Sequence, residues 1–273
     1  MQVFVLSDNT AGPPHFLAEH GLSLLVRIES SDILMDVGQG AAAMRNAELM
    51  GISLDDLQGL VLSHGHYDHT AGLPQLLAKK SPVKVYAHPA VFDDKYYQVG
   101  QVSRHIGIPF KRDYLESMGA QFDLGTEARE IAPGVTVSGE IPRVTDFEPG
   151  DPNLKVRAQD GFEDDPLLDD QALYIRHPEG VVVILGCAHA GAINTLRHAM
   201  GVTGEERIRA VIGGSHLMFL KSDQLESTIE ELKAIDPGLM AFSHCTGQEA
   251  ARRLSQEFGE RFVFNQTGNV INL

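Results

Sequence analysis

Three histidines and one carboxylate fall within the six residues His64-Gly65-His66-Tyr67-Asp68-His69. His64 and His66 are two apart, so in extended backbone both rings point to one side. Gly65 between them lets the chain turn tightly with no side chain in the way. Asp68 and His69 follow one turn later and aim at a neighbouring point. Imidazole nitrogen with carboxylate oxygen is a ligand set for zinc, iron and manganese. The apolar run Leu60-Val61-Leu62 just before reads as a buried strand, which places these donors at a strand end.

Three more strand ends carry a histidine after a glycine or small residue. They are His189 in Gly186-Cys187-Ala188-His189, His216 in Gly213-Gly214-Ser215-His216, and His244 in Ser243-His244-Cys245. Strand ends on one edge of a sheet are where α/β folds build their sites. Together the four ends read as one convergent metal site, with His189 and His244 as ligands and His216 as ligand or substrate contact. Asp36 ends the run Ile33-Leu34-Met35. It reads as a helix cap or as a carboxylate that orients a ligating histidine, and the two roles are compatible.

The elements needed to position these residues follow from apolar patterning. Strands are expected over 3–6, 22–28, 33–36, 60–62, 83–87, 135–138, 172–175, 181–185, 208–212 and 239–242, with two more closing the chain. Helices are expected over 41–50, 71–80, 193–200, 222–235 and 248–258. Residues 92–118 read as irregular apart from a helix near 112–118. Residues 144–171 show no element. A stretch that long is a lid, a binding loop or a solvated acidic loop, and 143–171 is expected to form a lid insertion. No linker breaks the pattern, so residues 1–273 read as a single domain.

The chain has 37 acidic and 22 basic residues, a net charge of −15. That balance argues against a nucleic-acid or anionic-membrane partner, because phosphate contacts need clustered Lys and Arg. Two cysteines, Cys187 and Cys245, are too few for a disulfide scaffold. Neither a signal peptide nor a membrane-length apolar run is visible. The expectation is a soluble cytoplasmic protein with a small-molecule substrate, compatible with a homo-oligomer.

The hexad resembles the signature of the metallo-β-lactamase superfamily. Asp8-Asn9, Glu19-His20-Gly21, Asp36-Val37-Gly38-Gln39, Gly139 to Arg143, Asp169-Asp170-Gln171-Ala172, Gly186 to Gly191, Gly213 to Leu217 and His244 to Gly247 extend the resemblance over nearly the whole chain. They are similar to the branch of dihydropterin-ribofuranosylaminobenzene 5′-phosphate synthases, dihydropteroate-synthase-like enzymes of methanopterin biosynthesis. The resemblance implies an α/β fold, a four-layer αββα sandwich. It also implies one or two divalent ions, zinc first, with iron or manganese as alternatives. His64 and His66 would bind the first ion, and Asp68, His69 and His244 the second. The family's bridging aspartate is replaced by Cys187, which reads as a ligand, a support for the site or a buried small hydrophobe. No clear histidine stands between 106 and 176 for the family's usual third ligand of the first ion, a place His189 would take.

The implied chemistry is hydrolysis or group transfer on a phosphate-containing small molecule. Either a phosphate ester is hydrolysed, or a pterin diphosphate condenses with an aminobenzene ribotide. Asp68 and His216 are the catalytic candidates. Asn9, His20, Arg143 and His216 are the candidates for contacting substrate. Arg143 is a phosphate clamp by guanidinium geometry or else a surface arginine. The rival readings are a di-iron redox protein and a non-catalytic metal-dependent sensor.

Overall fold

The computed structural model describes residues 1–29, 31–219 and 222–273. In chain order the first elements are strands β1 (Gln2–Ser7), β2 (Ser23–Ile28) and β3 (Ser31–Met35), helix α1 (Ala42–Leu49), strand β4 (Leu57–Val61) and helices α2 (Tyr67–Thr70) and α3 (Leu73–Lys79). Next come β5 (Val83–Ala87), β6 (Lys95–Val99), β7 (Val102–His105), α4 (Arg112–Ser117), β8 (Ala120–Leu124), β9 (Arg129–Ala132), β10 (Val135–Val137), β11 (Leu154–Ala158) and β12 (Gly161–Asp164). The remainder is β13 (Ala172–His177), β14 (Gly180–Leu185), α5 (Ala192–Thr203), β15 (Ile208–Gly214), α6 (Ser222–Ile235), β16 (Met240–Ser243), α7 (Gln248–Phe258), β17 (Phe262–Phe264) and β18 (Val270–Asn272).

The chain divides into two compact units. Unit 1 comprises Met1–Gly125, Pro152–Asp169 and Gln266–Leu273. Its main sheet has seven strands in the order β18-β1-β2-β3-β4-β5-β8. The β3, β4, β5 and β8 neighbours run parallel. Such strands carry near-continuous apolar runs because both faces are covered, and Leu34, Leu60, Val61 and Val85 are buried accordingly. Leu34 pairs with Leu60 and Met35 with Val61, so Asp36 and the chain entering His64 leave the same end of the sheet. The core beneath joins Leu25, Leu34 and Leu60 to Met44 and Ala47 of α1 and to Leu73, Leu76 and Leu77 of α3. The first and last strands are neighbours, with Gln2 opposite Asn272.

Unit 1 also holds a four-stranded antiparallel sheet, β12-β11-β6-β7. This corrects the expectation of irregular structure over 92–118 and 144–171. Leu154-Lys155-Val156-Arg157-Ala158 alternates as a half-buried strand does, with Lys155 opposite Asp164 and Arg157 opposite Phe162. The helix expected near 112–118 is α4.

Unit 2 comprises Thr126–Asp151 and Asp170–Asn265. Its seven strands run β17-β16-β15-β14-β13-β10-β9, with β14 to β17 parallel. Leu185 pairs with Gly213 and Gly214 with Ser243, which aligns the C-terminal ends of β14, β15 and β16. Val183, Leu185, Val211 and Phe242 pack with Ile193 and Leu196 of α5, Ile229 and Leu232 of α6, and Leu254 of α7. Among the described residues no helix is long and apolar enough to cross a membrane.

Candidate metal centre

In unit 1 the hexad leaves the C-terminal end of β4 and enters α2. His64 and His69 are fully buried, and His66 and Asp68 nearly so. Nε2 of His64 lies 2.9 Å from Nδ1 of His66. Nδ1 of His64 lies 2.8 Å from Oγ of Ser63. Nδ1 of His69 lies 2.7 Å from Oδ2 of Asp36, while its Nε2 is 3.8 Å from Oδ2 of Asp68. His64 and His69 therefore each give one ring nitrogen to an oxygen and turn the other toward neighbouring donors, as ligating histidines do. Imidazole and carboxylate donors held in this way fit a borderline divalent ion.

Asp36 is the orienting group. Its Oδ1 accepts the Ser63 N–H at 2.7 Å and its Oδ2 the Ser63 hydroxyl at 2.6 Å, besides the His69 contact. It does not cap α1, whose N-cap is Ala41. The Asp36 backbone is left-handed at φ 59°. The loop is fitted closely elsewhere too. A Cβ on Gly65 would stand 2.3 Å from the Val91 carbonyl oxygen, so no larger residue enters without displacing backbone.

A buried ion network holds this loop from behind. The Gly65 N–H donates to Oδ2 of Asp169 at 2.7 Å. Oδ1 of Asp169 accepts from Lys95 Nζ at 2.8 Å, and Asp165 accepts from the same ammonium at 2.9 Å. Burial pulls the Lys95 ammonium toward a lower pKa, but the two carboxylates outweigh it and hold the group above its ordinary value. Burial pushes the Asp169 carboxyl up against the pull of Lys95. Lys95 carries no apolar signal in the sequence. The Asp169-Asp170 pair was visible as a motif but without a role.

The substrate candidates of this unit sit at its surface. His20 is exposed, with Nε2 3.2 Å from Oδ2 of Asp68. Asn9 is exposed, and its Oδ1 accepts the Gly21 N–H at 3.2 Å. Gly21, at φ 152°, is a position where a Cβ would meet the Asp68 carbonyl oxygen at 2.4 Å.

In unit 2, Cys187, His189, His216 and His244 stand just beyond β14, β15 and β16. The donor atoms of Cys187, His189 and His216 lie within 4.8 Å of one another, as do those of Cys187, His244 and Cys245. The His189 and His216 rings are 4.3 Å apart. Cys245 was not among the expected site residues. Nothing local in the sequence separates a ligand cysteine from a buried one. Its Sγ accepts the His216 N–H at 3.2 Å. Burial pushes the Cys245 thiol up, yet hydrogen bonds with Cys187 and His216 hold it well below its usual range.

Arg143 is exposed, and its Nη1 donates to the Glu148 carbonyl at 3.3 Å. The Glu148 carboxylate is buried at the start of α5. It accepts from the Ile193 N–H at 2.9 Å, the Asn194 N–H at 3.0 Å and the Thr145 hydroxyl at 2.9 Å. A carboxylate suits the positive end of a helix, although burial raises the Glu148 pKa. Asp170, in the same unit, accepts the Ala190 N–H at 2.9 Å and so steadies the turn that carries His189.

A family model of the metallo-beta-lactamase superfamily matches residues 18–244. A 7,8-dihydropterin-6-methyl-4-(beta-D-ribofuranosyl)-aminobenzene-5′-phosphate synthase of Methanocaldococcus jannaschii is 26% identical, covering 99% of this chain and 96% of that protein. Uncharacterized protein MJ0448 of the same archaeon is 32% identical over 98% of this chain and 99% of its own. The crystal structure of Tm1679, described as a metal-dependent hydrolase of the beta-lactamase superfamily, superposes with a TM-score of 0.84. It is 26% identical, and the match covers 100% of this chain and 99% of that one.

Proposed function

Because this chain belongs to the metallo-beta-lactamase superfamily, with the family model spanning residues 18–244, we propose that it is a metal-dependent enzyme acting on a phosphate-containing small molecule. The observation that carries the reading is the 2.9 Å approach of His64 Nε2 to His66 Nδ1, with His69 clamped by Asp36. His64, His66, Asp68 and His69 are the proposed ligands in unit 1, and His189 and His244 those in unit 2. One or two ions are expected, zinc before iron or manganese. When bound, such an ion would polarise a phosphoryl oxygen and lower the pKa of its water toward about 7.

The chain's own residues do the rest. Asp36 and Ser63 fix the imidazole orientations. Asp68 binds metal and orients the nucleophile, with His20 against its Oδ2. In unit 2, His216 is the second catalytic candidate and, like Arg143, a substrate contact; in unit 1 the substrate contacts are Asn9 and His20. The full-length similarity to the archaeal synthase supports a pterin-related condensation as the specific reaction, with phosphate-ester hydrolysis by the same machinery as its simpler form. The balance of 37 acidic to 22 basic residues supports a small-molecule substrate over a nucleic acid, and a cytoplasmic setting is part of the same proposal.

Elemental analysis of protein purified without chelator, with turnover assays over phosphate esters and pterin diphosphates, tests the reading. Metal and turnover are expected in the wild type; His64→Ala/His66→Ala should lose turnover and hold less metal. Equal metal in the two proteins would refute it.

A further inference from the structure

The small sheet of unit 1 meets the hexad at Tyr67, the residue between His66 and Asp68. The Tyr67 N–H donates to the Ile106 carbonyl at 2.8 Å, just past the end of β7. Its half-buried ring packs against Ile106, Leu154 and Leu167, as does the ring of Tyr97 from β6. Arg104 of β7 stands directly opposite Tyr97, and residues opposite each other in paired strands share a face. The guanidinium carbon of Arg104 accordingly lies 5.2 Å from the centre of the Tyr67 ring, and Nη2 donates to the phenolic oxygen at 3.2 Å.

Two contacts of different kinds therefore hold Arg104 beside the hexad. The aromatic face attracts the cation, and the phenolic oxygen fixes the direction of the planar fork. Arg104 is nonetheless exposed, and among the described residues it makes no ion pair. The bond to Tyr67 uses a single N–H of a group that carries several. In a chain with 37 acidic residues, a fixed guanidinium with no carboxylate against it is suited to an anion from solution. The same ring has His20 nearby: the His20 and Tyr67 centroids are 6.2 Å apart, and His20 is the residue against Asp68 Oδ2.

We propose that Arg104, steadied on Tyr67, binds the phosphate group of the substrate. Guanidinium offers paired N–H donors that match two phosphate oxygens, and a fork already fixed by stacking loses less freedom on binding. The small sheet thereby becomes a recognition wall for the hexad, and its phosphate contact adds to those of Asn9 and His20 in the same unit. The proposal rests on the phosphate-containing substrate argued above and names the group that grips it.

Isothermal titration of phenyl phosphate into the whole chain, purified without chelator, tests it. Arg104→Gln should weaken binding about 10-fold or more, as the loss of a hydrogen bond to a charged group does, with metal content and melting temperature unchanged. Arg104→Lys keeps the charge but not the fork and should fall between the two. Arg157→Gln makes the same change of charge on the same sheet, where Arg157 lies over Tyr96 and Phe162, and should leave binding nearly unchanged. Equal affinity in wild type and Arg104→Gln overturns the clamp and leaves the phosphate-containing reading intact, and so does an equal loss in Arg104→Gln and Arg157→Gln. A wild type that binds no phenyl phosphate overturns both. Lost metal or a lowered melting temperature in Arg104→Gln would make Arg104 a structural residue and overturn the clamp as well.

Discussion

Replacing Lys95 with methionine would leave Asp165 and Asp169 buried without their cation. The Lys95 and Asp169 side chains are 1% and 0% exposed and that of Asp165 4%, so solvent cannot take over the role of the ammonium. Removing one member of a buried pair costs about 3–5 kcal/mol, because a buried charge is left uncompensated. For a chain of this size that corresponds to a melting-temperature loss on the order of 10 °C. Methionine matches the stem of lysine in length, so packing contributes little to the loss. The triple variant Lys95→Met/Asp165→Asn/Asp169→Asn removes the charges together, and an asparagine oxygen can still accept the Gly65 N–H. It should recover most of the deficit. Urea unfolding of the wild type, the single and the triple variant measures both differences. Metal affinity should fall in the single variant, since Asp169 anchors the backbone between His64 and His66. A single variant within about 0.5 kcal/mol of wild type, the scatter of ordinary surface changes, would refute the reasoning.

Asp36→Asn keeps a residue type that tolerates φ 59°, yet one carboxylate oxygen becomes an amide that cannot accept a hydrogen bond. Metal affinity should drop about 10- to 100-fold with little change in stability, read by competition with a chromophoric chelator. Glu148 has a folded-state pKa raised by burial, so the stability it contributes is complete below its unfolded value and is lost as pH rises through the folded one. The stability of wild type relative to Glu148→Gln should therefore decline as pH rises above the ordinary glutamate value of 4.5 in urea melts, and a rising difference would contradict the assignment. Gly191→Ala should destabilise by more than about 1 kcal/mol, because φ is 108° and a Cβ would stand 2.3 Å from Glu148 Oε2; an unchanged urea midpoint would count against this.

What could be read from the sequence was what repeats a simple physical rule. Val181-Val182-Val183-Ile184-Leu185 is apolar throughout because parallel strands are covered on both faces, and the glycine and histidine after it stand out as a change of character. The same contrast marks His64, His216 and His244. The small sheet obeys another rule. Lys95-Tyr96-Tyr97-Gln98-Val99 hides its lysine in an ion network, and no apolar pattern reports a buried ammonium. Leu154 to Ala158 does alternate, but acidic and proline-rich neighbours on both sides obscure it. Cys245 and the Lys95–Asp169 link depend on contacts between residues far apart in sequence, which spacing does not reveal. Asp36 lay between these cases: its place at a strand end was legible, and only the structure chose between capping a helix and holding His69.

The pairing of β1 with β18 carries a consequence for how the chain is made. Gln2 and Asn272 are hydrogen-bonded neighbours 270 positions apart. At about 5–20 residues per second, the ribosome emits the partner of the first strand roughly 15–55 s after the strand itself. Until then β1 shows an open row of N–H and C=O groups, the kind of edge on which another chain can pair. Order of synthesis thus sets an interval of vulnerability that the finished sheet no longer displays.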